Sequence, residues 1–164
     1  MHNRRTAEIM KIIRTKIDQA KFPIAIQSTF NFSGGDDFIK GGNIRTNGMD
    51  PFGCLGDLAW YCIRYSLCLT GFSPPKRVRC IKMTTNDIGV PIHCEGEIDW
   101  DRDIRLTFQS SFLLDLQQRV EISFPDCCLK IDDAVICDPF ENAFFVERNT
   151  FVDNDRLYKP TRTK

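Results

Sequence analysis

The sequence predicts an α+β fold, an open, mainly antiparallel β-sheet with helices packed on one face. Three observations predict it. Apolar residues recur at helical spacing in two segments of the first half. From residue 77 onward the period drops to two, over stretches at 77–85, 91–100, 104–113, 117–124 and 127–137. Short turn signals (Asn86-Asp87-Ile88-Gly89, Asp101-Arg102-Asp103, Pro125-Asp126) separate several of these stretches. Such connections favour an antiparallel meander over parallel strands joined by crossover helices.

The first helix is expected from about Asn3 to Lys16, where Ile9, Ile12, Ile13 and Ile17 share a stripe and Asn3 or Thr6 can cap the start. A strand follows at Pro23–Phe32, with Ile24, Ile26, Phe30 and Phe32 on one face. Residues 33–53 lose all periodicity and hold Gly34, Gly35, Gly41, Gly42, Gly48 and Gly53. They read as a long irregular loop, and such loops inside a compact domain are uncommon and often functional. The second helix runs from about Leu55 to Leu69 and stops at Thr70-Gly71, ahead of Pro74-Pro75. Its surface is apolar nearly all round, which marks a buried helix.

In the strands the alternation is clear. Ile92, Cys94, Ile98 and Trp100 oppose His93, Glu95, Glu97 and Asp99; Ile104, Leu106, Phe108 and Phe112 oppose Arg105, Thr107 and Gln109. One sheet face is therefore expected under the helices and the other in water. The acidic row on the watery face is expected to be answered by Arg105 across the hairpin. After Phe140 the pattern fades. Residues 1–140 read as the folded unit and 141–164 as a loose, charged C-terminal tail.

The chain has 164 residues, and its 22 Lys+Arg balance 22 Asp+Glu. A neutral chain carries no electrostatic footprint for nucleic acid or an anionic membrane. No apolar run approaches the roughly 20 residues that span a bilayer, and no secretory h-region is visible, so a cytoplasmic protein is expected. The eight cysteines show no C-x-x-C and no regular framework, and only His2 and His93 accompany them. Free, buried thiols are expected, with neither a disulfide scaffold nor a metal site.

The informative feature is the polar stripe on the second helix. Asp57, Tyr61 and Arg64 stand at i, i+4 and i+7, on one face. Burying a carboxylate, a phenol and a guanidinium is costly unless they pair with one another or face a cleft. Gly53 and Gly56 let another backbone or a ligand approach the start of this helix. An Asp beside a Tyr in a cleft can move a proton, with Tyr61 as acid or base and Asp57 as orienter. A structural reading stands beside this one. Asp57 then complements the helix dipole, Tyr61 buries its ring, and Arg64 pairs with a sheet-face carboxylate.

The run Asn43-Ile44-Arg45 … Asp50-Pro51-Phe52-Gly53-Cys54-Leu55-Gly56-Asp57-Leu58-Ala59-Trp60-Tyr61-Cys62-Ile63-Arg64 resembles the G-A-L-G-D-x-G-W-Y-x-I-R segment of the Gfo/Idh/MocA oxidoreductases. These are the relatives of glucose–fructose oxidoreductase, inositol dehydrogenase and dimeric dihydrodiol dehydrogenase. The opening Met1-His2-Asn3-Arg4-Arg5-Thr6-Ala7 and the stretch Phe30–Phe38 are similar in character. The resemblance spans about residues 1–140 and implies a C-terminal substrate and oligomerisation domain of dihydrodipicolinate-reductase-like fold. It implies Tyr61 and Asp57 as the catalytic pair, Arg45, Trp60 and Arg64 as substrate-binding residues, and NAD(P) as the cofactor. It further implies a sugar, polyol or dihydrodiol substrate and a homodimer formed through the sheet face.

Two departures follow from the same comparison. The family's nucleotide fingerprint and its E-K-P lysine are absent from this chain, so no cofactor-binding residue is expected in it. A phenol is a weak acid, so Tyr61 needs a neighbouring cation to serve as a base. The final strand and helix of the family have no counterpart in the pattern after residue 140, which leaves a sheet edge expected to be exposed. A non-catalytic sheet module derived from the family is the alternative.

Overall fold

In the computed structural model, residues 7–136, 146–149, 151–153, 156–158 and 161–163 are described. The isoleucine stripe forms at three of its four expected positions. Ile9, Ile13 and Ile17 are buried on one side of helix α1 (Ala7–Gln19), while Ile12 faces outward. The capping candidates Asn3 and Thr6 lie outside the described residues. Strand β1 (Ile24–Asn31) follows, burying Ile24, Ile26 and Phe30.

The segment expected as an irregular loop contains two local structures. A three-residue helix α2 (Gly35–Asp37) runs into a wide π turn, Phe38–Gly42. The rings of Phe32, Phe38 and Phe112 meet with centroids 5.0–5.4 Å apart, and this aromatic cluster anchors the segment over the end of the sheet. Asn86 holds it from the other side, its Nδ2 donating to the carbonyls of Ile39 (3.1 Å) and Thr46 (2.8 Å).

The second helix begins as a π turn, Leu55–Ala59, and continues as α3 (Trp60–Leu69). Leu58, Ala59, Cys62, Tyr65 and Leu69 are buried, and the Tyr65 hydroxyl donates to the Ala134 carbonyl. Trp60, read as part of an all-round apolar surface, is instead half exposed.

Five strands follow within the expected stretches: β2 (Arg77–Thr85), β3 (Pro91–Trp100), β4 (Ile104–Ser111), β5 (Gln117–Ser123) and β6 (Cys127–Asp132). The meander is interrupted, and here the expectation is corrected. β1 inserts between β4 and β5, pairing parallel to β4 and antiparallel to β5. Its Phe22-Pro23 entry and its apolar alternation suit a strand buried on one face. Nothing in the local pattern at β4 and β5 marks the gap it fills.

The residues read as a tail carry strands as well. β7 (Val146–Asn149) pairs with β6, and β10 (Thr161–Thr163) pairs with β7. Between them β8 (Phe151–Asp153) and β9 (Arg156–Tyr158) form a two-stranded ribbon. The edge at β6, expected to be exposed, is thus extended. Lys16 Nζ reaches Glu147 Oε1 at 2.9 Å and ties α1 to β7. That hydrogen bond raises the Lys16 ammonium above its ordinary range, against the opposing effect of burial.

The result is an eight-stranded sheet, β10-β7-β6-β5-β1-β4-β3-β2, mainly antiparallel and covered on one face by α1 and α3. The other face is polar, as expected. Asp99 Oδ1 accepts from Arg105 Nε at 2.7 Å, and Arg77 and Arg79 of β2 add pairs to Asp99 and Glu97. The seven described cysteines are free thiols; Cys137 lies outside the described residues. No helix among the described residues is long and apolar enough to cross a membrane.

Candidate functional site

The site is built where the glycine-rich segment enters the second helix. Gly53 has φ +47°, and a Cβ there would stand 2.1 Å from the Pro91 carbonyl oxygen. Only glycine lets the chain cross the start of β3 this closely. The π turn follows at once, and the Trp60 amide donates to the carbonyl of Leu55, five residues back. Such a turn inserts an extra residue into the helix and often marks a functional position. Asp57 lies within it.

Asp57 finds its partner outside the helix. Arg45 Nε donates to Asp57 Oδ1 at 2.8 Å, both side chains being partly exposed. Asn43 aims Arg45, its Oδ1 accepting from the Arg45 amide at 3.1 Å and from Nη1 at 3.4 Å. The hydrogen bond to Asp57, and then its charge, raise the Arg45 guanidinium above its ordinary range. Asp50 and Tyr61 add smaller contributions through their charged forms. Arg45 therefore lies within electrostatic reach of Tyr61. The Tyr61 ring is seated on Phe30, edge to face, with centroids 5.6 Å apart.

The structure brings together three of the five candidate residues. Asp57, Tyr61 and Arg45 form one group at the start of the helix. Arg64 does not join them, because its guanidinium stacks over the Phe72 ring at 4.5 Å. Neither the expected continuous stripe through Arg64 nor its pairing with a sheet-face carboxylate is found. Among the described residues no hydrogen bond joins Asp57 to Tyr61: the π turn alters the i,i+4 relation, and Arg45 takes the carboxylate. Trp60 stands half exposed beside the group.

Two partners were not singled out from the residues alone. The Asn43–Arg45 contact is an Asx turn, whose signal is an Asn two residues before the amide it accepts from. Asp50 repeats the device with the Phe52 amide at 3.0 Å. Cavities of about 600 and 490 Å³ lie elsewhere, the first among Arg77, Trp100 and Arg105, the second among Asn31, Gln109 and Arg119. Near the start of the helix Phe52 and Met49 are exposed.

No family model matches the sequence. Solved structures match its fold over nearly the whole chain. An aldose-aldose oxidoreductase from Caulobacter crescentus, complexed with glycerol, aligns over 96% of this chain and 43% of its own at 19% identity, with a TM-score of 0.66. A putative NADPH-dependent oxidoreductase from Desulfitobacterium hafniense aligns over 99% and 48% at 16% identity, with a TM-score of 0.75. An inositol dehydrogenase homolog from Azotobacter vinelandii, complexed with NAD+, aligns over 96% and 40% at 12% identity, with a TM-score of 0.72.

The fold is thus that of one part of these oxidoreductases, and this chain spans less than half the length of each. At these identities the likeness shows the fold alone, which is the fold that the resemblance of residues 43–64 implied.

Proposed function

We propose that this chain is the substrate-side half of a cytoplasmic NAD(P)-dependent oxidoreductase acting on a sugar, polyol or dihydrodiol. The observation that carries the reading is the Arg45–Asp57 pair set beside Tyr61 at the start of α3. In this reading Tyr61 gives a proton to, or takes one from, the substrate oxygen at the reacting carbon. The Arg45 cation supplies the electrostatic help that a phenol needs to work as a base. Asp57 holds Arg45 in place, and Trp60 flanks the substrate, while Arg64, stacked on Phe72, takes no part.

The described residues do not fit the cofactor itself. β1, which pairs parallel to β4, is followed two residues on by Gly34-Gly35-Asp36-Asp37, of which Gly35–Asp37 form a helix of only three residues. Two carboxylates after the glycines repel a pyrophosphate rather than hold it. The nicotinamide, which accepts or supplies hydride, therefore belongs to a separate nucleotide-binding body. The isolated chain is inactive in redox chemistry. Its open, polar sheet face is the surface through which a homodimer forms.

The reading is tested with the assembled enzyme. Tyr61→Phe lowers kcat by roughly 10²–10⁴-fold, the usual worth of a positioned acid or base, with a much smaller change in KM. An unchanged kcat overturns the assignment and favours the non-catalytic sheet module.

A further inference from the structure

The β2–β3 hairpin carries two thiols on one face. Cys80 is in register with Gly96, and Cys94 stands two residues away on β3, so both point to the helix side of the sheet. Gly96 offers no side chain opposite Cys80. The Phe108 ring lies over it, 2.6 Å from where a Cβ would stand, and the Cys80 thiol is left free to lean toward Cys94. The thiols interact: burial is the main cause that pushes Cys94 up to about 11, and the nearby Cys80 adds to it. Their exposure differs sharply, since Cys80 is exposed and Cys94 is buried.

Diagonal residues on neighbouring strands lie roughly 7–8 Å apart at Cα, against the roughly 5.5–6 Å that a disulfide favours. β2 can close that difference. Every one of its nine residues is exposed, and its register slips between Cys80 and Lys82, the mark of a bulge that bends the strand.

We propose that Cys80 and Cys94 form a reversible oxidation site, converted to an intrachain disulfide by a low-molecular-weight disulfide such as oxidised glutathione. The Cys80 thiolate attacks one sulfur of the reagent and expels one reduced thiol. The Cys94 thiolate then attacks the Cys80 sulfur, closes the Sγ–Sγ bond and expels the second. The protein loses two electrons, the reagent gains them, and the two cysteine protons leave on the released thiols. The first step is fast because Cys80 is open to solvent. The second is slow because Cys94 is buried and held protonated.

The full chain is incubated with oxidised glutathione and mapped by mass spectrometry of non-reduced peptides. The expected product is a peptide cross-linked between Cys80 and Cys94, preceded by a mixed disulfide of glutathione on Cys80. Cys80→Ser, an exposed change that leaves the core intact, abolishes the cross-link. Cys94→Ala traps the mixed disulfide. The proposal is overturned if the wild-type chain stops at the mixed disulfide, or if Cys80 links to Cys68, Cys127 or Cys128 instead.

Discussion

Strands β4 and β2 belong to one sheet, separated only by β3, yet they live in different surroundings. β4 buries Ile104, Leu106, Phe108, Ser110 and Ser111. β2 buries nothing: Val78, Ile81 and Met83 are all about half exposed or more. Both strands alternate and both are rich in β-formers. The difference comes from the helices: α3 and the π turn before it pack on β1 and β4, and the turn on β3, whereas no helix packs to a comparable extent on β2. Val78 and Met83 share the helix-side face with Ile98 and Cys94, but no helix covers them. An uncovered apolar strand accords with our proposal that this domain works against a second, nucleotide-binding body.

The comparison breaks most readily at its buried end. Leu106 is fully buried, so Leu106→Ala is expected to cost about 2–5 kcal/mol, through lost transfer energy and the cavity left behind. Urea denaturation reads this directly, and a loss below about 1 kcal/mol would place β4 outside the core.

A smaller effect is expected on the open face, where the two regions are linked by charge. Hydrogen bonds from Arg105, and then from Arg77, hold the Asp99 carboxyl below its ordinary value of 3.8. A depressed folded value means that this stabilisation is full above the unfolded value and is lost as pH falls through the folded one. Asp99→Asn should therefore lower the unfolding midpoint at neutral pH and leave it unchanged well below pH 3.8. An equal deficit at both pH values would show that shape, not charge, is what Asp99 supplies.

The smallest change is expected on β2. Ile81→Thr keeps the β-branch and removes apolar surface that water already reaches, so stability should move by no more than about 0.5 kcal/mol. A core-sized loss would mean that β2 is covered in the isolated chain.

Much of this was legible in the sequence. The strand stretches, the buried stripe of α1 and the Arg105–Asp99 pairing follow from periodicity and cross-strand chemistry. The place of β1 did not, because the pairing of a strand with partners 80 residues away along the chain leaves no local trace. β7 and β10 escaped because runs of four and three residues are too short to show a period. At the site, residue type and spacing singled out Asp57 and Tyr61, and the resemblance added Arg45. The π turn was invisible, since no residue type or spacing in 55–59 marks the extra residue. Arg64 was misplaced for the complementary reason: Phe72, just past the helix end, offers its guanidinium a ring.

The account rests on one claim, that the described domain holds the proton-transfer residues and not the cofactor. Calorimetric titration of the chain with NAD+, NADH, NADP+ and NADPH tests it most directly. The account predicts no saturable heat even at millimolar nucleotide. Tight, stoichiometric binding of any of the four would contradict it.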